Sequence, residues 1–261
     1  MLKTILVLLC FGLLTGCTTN SSSHTSNDIA KTKTNTVITT EVASTPMTKE
    51  SINDRQKNKT ISSEEGKDIS SFVPDGWHIL ERVKGKPEKI EGDLNKDGIN
   101  DIAFVIEGIS KTKEEAPPRV LLIAFGTKDH TYILSVKAEH AILRSDEGGV
   151  WPDPFTKISI DRGSIIIDFY GGSNYRWYGK YRFRYQDNDW YLIGATIGSY
   201  FTGTTTQENA DEDDYNLLTG DIITRKTDEK DRNSSHTTKG NRGKKALLKL
   251  TDFIANSENN F

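Results

Sequence analysis

From Phe72 to about Thr224 the chain alternates short apolar runs with polar turn residues. Tyr181, Phe183 and Tyr185 interleave with Arg182 and Arg184, a period of two that turns one face of a strand toward a core and the other toward water. Runs of this kind predict strands at 77–83, 101–107, 119–125, 131–137, 156–160, 164–170, 178–186 and 190–198. Their spacing, about ten to fifteen residues, leaves no room for crossover helices, so the strands pair antiparallel. The fold class expected is all-β, an antiparallel sandwich or partial-propeller-like domain.

Two hairpins are marked by their turn chemistry. Apolar residues flank Asp161-Arg162-Gly163, and Asp187-Asn188-Asp189 separates the aromatic strand from Trp190-Tyr191-Leu192-Ile193. The run from Val120 to Phe125 lacks alternation, which predicts a central strand covered on both sides. Beyond Lys226 the pattern weakens, and 246–254 reads as either a short amphipathic helix or an edge strand.

The start of the chain follows another pattern. Lys3 precedes an apolar run from Ile5 to Leu14. That run is about ten residues, half the roughly twenty a membrane-spanning helix needs, so residues 1–16 read as an export signal. Leu14-Thr15-Gly16-Cys17 resembles the lipobox of bacterial lipoprotein precursors. The resemblance implies removal of the signal and lipid on Cys17, an anchor stabilised by about 0.8 kcal/mol per buried CH2. It places the protein at the cell membrane or, since Thr18 rather than Asp follows the cysteine, at the outer membrane of a diderm host. Residues 17–67 are rich in Ser, Thr, Asn and Lys and nearly free of aromatics, so they bury too little to offset their ordering entropy and read as a disordered tether. About fifty residues of coil reach roughly 40 Å. The expected organisation is a signal at 1–16, the tether at 17–67, a β domain at 68–226 and a polar C-terminal extension at 227–261 with one short apolar element.

Charge and cysteine usage narrow the partners. The net charge is −3, with Lys and Arg dispersed among Asp and Glu, which argues against a nucleic-acid partner. Cys10 leaves with the signal, so the processed chain holds one cysteine and forms no internal disulfide.

One loop carries metal-ligand spacing. In residues 91–101, Asp93, Asn95, Asp97 and Asp101 offer side-chain oxygens at positions 1, 3, 5 and 9 of one loop, Ile99 offers its carbonyl, and Gly98 permits a sharp turn. A hard cation such as Ca2+ takes six or more oxygens at about 2.4 Å, and one loop of this spacing supplies several. The alternative is a turn that merely favours Asp, Asn and Gly. It is not an EF-hand, because Phe104 stands where the bidentate Glu belongs and the flanks read as strands. The run Gly92-Asp93-Leu94-Asn95-Lys96-Asp97-Gly98 with Asp101-Ile102-Ala103 resembles the calcium loops of FG-GAP and VCBS-type β repeats, in a single copy that argues against a full propeller. Phe72-Val73-Pro74-Asp75-Gly76-Trp77 leading to this loop, with Gly171-Gly172-Ser173-Asn174 later, resembles a family of uncharacterised bacterial lipoproteins. That likeness implies no established activity, and a Ca2+ ion in the loop reads as structural because every plausible ligand comes from the one loop.

Catalytic signatures are sparse. The five histidines form no ligand pair, Ser173 lacks a nucleophile elbow, and no phosphate-binding glycine motif precedes a helix. Asp146, Glu147, Asp153, Asp161 and Asp168 include pairs suited to glycoside hydrolysis only if the fold brings two together. Trp151, Tyr170, Tyr175, Trp177 and Tyr178, mixed with Gly, Asn174 and Arg176, form a candidate recognition surface for a glycan or protein ligand, with cross-strand packing as the plainer alternative. The function expected is a membrane-anchored, non-enzymatic binding or envelope-maintenance protein with a calcium-stabilised β domain; the alternative is an envelope glycan hydrolase using paired carboxylates.

Overall fold

The computed structural model describes residues 65–66, 68–150 and 152–261, all within one unit spanning Asn58–Phe261. The expected signal, Cys17, nearly all of the tether and Trp151 lie outside the described residues. Among the described residues thirteen strands form two antiparallel sheets, and the domain is all-β. The first sheet contains β1 (Glu65–Gly66), β2 (His78–Ile79), β3 (Lys89–Gly92), β4 (Asp101–Glu107), β5 (Arg119–Gly126) and β6 (Tyr132–Ala138). Its order is β1-β6-β5-β4, with β2 and β3 sharing the far edge of β4. The expected strand at 77–83 is therefore short: Leu80 still bonds Val105 of β4, the chain then turns away, and Glu88 brings it back to Val105. The sheet also begins at Glu65, inside the segment expected to be tether.

The second sheet is a meander of β7 (Phe155–Asp161), β8 (Ser164–Gly172), β9 (Tyr175–Gln186), β10 (Asp189–Phe201), β11 (Asp211–Asn216), β12 (Asp221–Thr227) and β13 (Ser235–Asn241). Both expected hairpins form. Arg162 and Gly163 (φ 52° and 67°) join Asp161 to Ser164, and Asp187 and Asn188 (φ 50° and 60°) join Gln186 to Asp189. Two consecutive left-handed residues match the right-handed twist of the strands they connect. The sheet continues past Lys226 through β13, so the C-terminal extension is part of the fold.

Each side of the first sheet is covered. Ala103, Val105, Leu121 and Ile123 pack on Ile165, Ile167, Phe169, Tyr181 and Phe183 of the second sheet. Ile102, Phe104, Ile106, Val120, Leu122 and Ala124 pack under Phe72, Ile69, Val73 and Trp77. Two covered faces explain why β4 and β5 read as unbroken apolar runs. The segment at 246–254 is neither helix nor named strand. A β-bulge between Leu192 and Gly194 separates two stretches of one β10 edge: β11 takes it from Gly194 onward, and Leu248 and Leu250 bond Leu192 and Trp190 before it. Leu250 and Phe253 are thereby fully buried in the main core.

Candidate functional site

The Asp/Asn loop connects β3 to β4, and its side chains fold back on its own backbone. Asp93 accepts the amide N–H of Lys96 at 2.7 Å on Oδ1 and that of Gly98 at 3.1 Å on Oδ2. Asn95 Oδ1 accepts from the Asp97 amide at 2.9 Å, and Asp97 Oδ1 from the Ile99 amide at 2.7 Å. Asp101 is fully buried, its Oδ2 accepting the amides of Leu94 (2.7 Å) and Asn95 (3.1 Å) and its Oδ1 that of Gly126 (3.0 Å). It clips the loop to the end of β5. A side chain at Gly126 would strike the Asn100 carbonyl oxygen, so only glycine allows this approach. Burial raises the Asp101 carboxyl pKa above its ordinary value despite the three amides, with the like charge of Asp97 adding to the rise.

As a calcium site the loop fits in donor chemistry, since every donor is oxygen and a carboxylate oxygen that accepts one N–H keeps a second lone pair. Among the described residues, no three His, Cys, Asp or Glu side chains gather as a ready metal-binding group.

The aromatic group is divided by the pleat of β9. Neighbouring residues on a strand point to opposite faces, so Tyr175 and Trp177 lie on the core side and Tyr178 on the outer side with Tyr170, its cross-strand partner. Trp177 covers Gly171 and Tyr178 covers Gly198, each ring filling the space above a cross-strand glycine. The Tyr178 hydroxyl donates to Glu212 Oε2 at 2.6 Å, and Arg225 reaches the same oxygen at 3.1 Å. Desolvation, then the Glu212 carboxylate, lifts the Tyr178 pKa well above its ordinary value. Trp177 and Tyr178 are therefore packed into the sheet, whereas Tyr175 is 70% exposed.

Tyr175 stands over a floor that the sequence did not reveal. Strands β11, β12 and β13 carry no fully buried side chain, with Tyr215 partly buried against the main core, so they extend the sheet beyond most of that core. Along this extension Ser199, Asp211, Lys226 and His236 follow one another across four strands in line with Trp177. Tyr175 pairs with Phe201, ring centroids 4.8 Å apart. Thr205 donates to the Arg232 carbonyl at 2.6 Å, tying the turn after β10 to the β12–β13 connection. Together these walls and the floor enclose an open cavity of about 900 Å³. Burial works against the Asp211 charge, but the Thr227 amide and Lys226 outweigh it and hold this carboxyl below its usual range. Phe201 extends the alternation of β10 and was within reach of the sequence pattern. Asp211 was not, because residues 211–216 read Asp-Glu-Asp-Asp-Tyr-Asn, with little strand propensity.

The carboxylates weighed for hydrolysis are distributed. Asp146 and Glu147 sit around Arg144, Asp153 binds Arg119, and Asp161 binds Arg182 at 2.7 Å. Asp168 lies on the outer face, 3.8 Å from Lys180. Among the described residues no helix is long and apolar enough to cross a membrane. No protein-family model, no characterised protein and no solved structure matches this chain.

Proposed function

We propose that this chain is a membrane-anchored envelope lipoprotein, lipidated on Cys17, whose β domain binds a glycan against Tyr175 and catalyses no reaction. The observation that carries the binding half is the Tyr175 ring, held by Phe201 and open to solvent above the Asp211, Lys226 and His236 side chains. An aromatic face beside hydrogen-bonding groups suits the C–H face and hydroxyls of a pyranose. The anchoring half rests on the lipobox-like Leu14-Thr15-Gly16-Cys17. Binding is favoured over hydrolysis because Asp153 and Asp161 are held by different arginines, Asp146 and Glu147 both sit around Arg144, and Asp168 lies on the outer face beside Lys180.

Calcium at the loop belongs to the same reading, with Asp93, Asn95, Asp97 and Asp101 and the Ile99 carbonyl as the ligands. The ion would offset the crowded carboxylate charge there and stiffen the loop.

The test is a fluorescence titration of the intact, detergent-solubilised chain with soluble fragments of envelope glycan. Tyr175→Ala is expected to weaken binding about tenfold, the value of roughly one aromatic stacking contact. Equal affinity for the two proteins would remove the reading. Metabolic labelling with palmitate should mark the wild type and leave Cys17→Ser unlabelled.

A further inference from the structure

The outer face of the second sheet carries a different arrangement. Lys157 on β7, Asp168 on β8 and Lys180 on β9 are direct cross-strand neighbours, a cation–anion–cation row. The row lines a groove of about 390 Å³ with Tyr170, Tyr178 and Thr196. The Asp168 side chain is only 15% exposed, yet among the described residues nothing donates a hydrogen bond to it. Its nearest cation, Lys180 Nζ, stands 3.8 Å from Oδ1, beyond hydrogen-bonding length. Burial raises the Asp168 carboxyl above its ordinary pKa against the pull of both lysines.

A carboxylate that faces a groove with its acceptor positions open calls for a hydrogen-bond donor. An ammonium ligand is opposed by two flanking lysines. An anion meets those lysines but also the carboxylate between them. A neutral hydroxyl suits both neighbours, since it donates to Asp168 and accepts from a lysine at the same oxygen, and a gap of 3.8 Å leaves one oxygen within reach of both groups. The adjacent hydroxyl of a sugar ring repeats the arrangement toward Lys157.

We propose that the groove over Lys157, Asp168 and Lys180 is a saccharide site on the face of the sheet opposite Tyr175, taking a neutral sugar through vicinal hydroxyls. It needs nothing from the Tyr175 floor, so the two sites fail separately. The test is calorimetric titration of the intact chain with maltotriose, cellotriose and mannotriose, each also after periodate cleavage of its vicinal diols. At least one trisaccharide should bind the wild type and Tyr175→Ala alike, at least tenfold more weakly to Asp168→Asn, and not at all once oxidised. Lys180→Met, at a half-exposed position, should reproduce the loss without touching the carboxylate. The proposal is overturned if no trisaccharide binds, if Asp168→Asn and Lys180→Met both bind as the wild type does, or if inorganic phosphate displaces the sugar.

Discussion

Arg119 grips Asp153 by two parallel bonds, Nη1 to Oδ1 and Nη2 to Oδ2, each 2.9 Å long, while its Nε donates to Glu107 at the same distance. The Arg119 side chain is 3% exposed. One guanidinium therefore ties β4 and β5 to the connection leading into the second sheet. Removing it strands two carboxylates with their charge uncompensated. Arg119→Ala is expected to cost about 3–5 kcal/mol in urea unfolding. Arg119→Ala combined with Asp153→Asn should recover part of that loss, because one orphaned charge goes with it. A cost under about 1 kcal/mol for the single variant would mean that the ion cluster contributes no more than a surface pair.

The calcium proposal has a thermal readout. The wild-type melting temperature should rise on adding millimolar calcium and fall with chelator, while Asp93→Ala/Asp97→Ala should respond to neither. Identical wild-type melting with calcium and with chelator would show instead that the amide bonds to Asp93, Asn95 and Asp97 complete the loop unaided.

Phe253 tests the role of the C-terminal segment. Its ring meets Tyr181 and Phe183 edge-on at 4.8 and 5.0 Å and is fully buried. Phe253→Ala should cost about 3–5 kcal/mol by the transfer and cavity terms together. Near-neutral stability would place 246–254 outside the cooperative unit.

Stability should also vary with pH in a defined sense. Burial raises the carboxyl pKa of Asp101 and Asp168 in the folded state. A raised acid binds its proton more tightly when folded, so stability rises as pH falls through the folded pKa toward the unfolded value of about 4. Asp189 and Asp211 are held low by hydrogen bonds to Lys249 and to the Thr227 amide, in spite of their burial. Their contribution is lost below about pH 4. Chemical denaturation in calcium-free buffer from pH 7 to 3 should show a gain and then a loss, and Asp168→Asn should flatten the gain. An unchanged profile in that variant would contradict the desolvation of Asp168.

Much of the scaffold was legible because burial repeats along a strand. β4 spans the residues its apolar run marked, β5 runs one residue further, and two-sided cover was readable from the lack of alternation at Val120 to Phe125. Turn chemistry located both type I′ hairpins. The acid-rich β11 and the polar β13 were hidden because they bury no side chain fully and are held mainly by backbone pairing, which leaves no apolar period. The aromatic site was half legible. Tyr175 proved accessible, but Trp177 and Tyr178 are adjacent on one strand and face opposite ways, a separation that strand geometry alone dictates. His236 looked peripheral until the register placed it beside Lys226.

The bulge at Leu192 has a temporal consequence. It reserves a stretch of β10 for Leu248 and Leu250, which the ribosome makes after all the strands described above. Until they arrive, Tyr181 and Phe183 have no Phe253 to cover them, and a nascent chain carries that open seam while β10 to β13 are made. A premature stop near residue 245 would therefore yield a sticky intermediate, prone to association with its own kind and a ready client for chaperones.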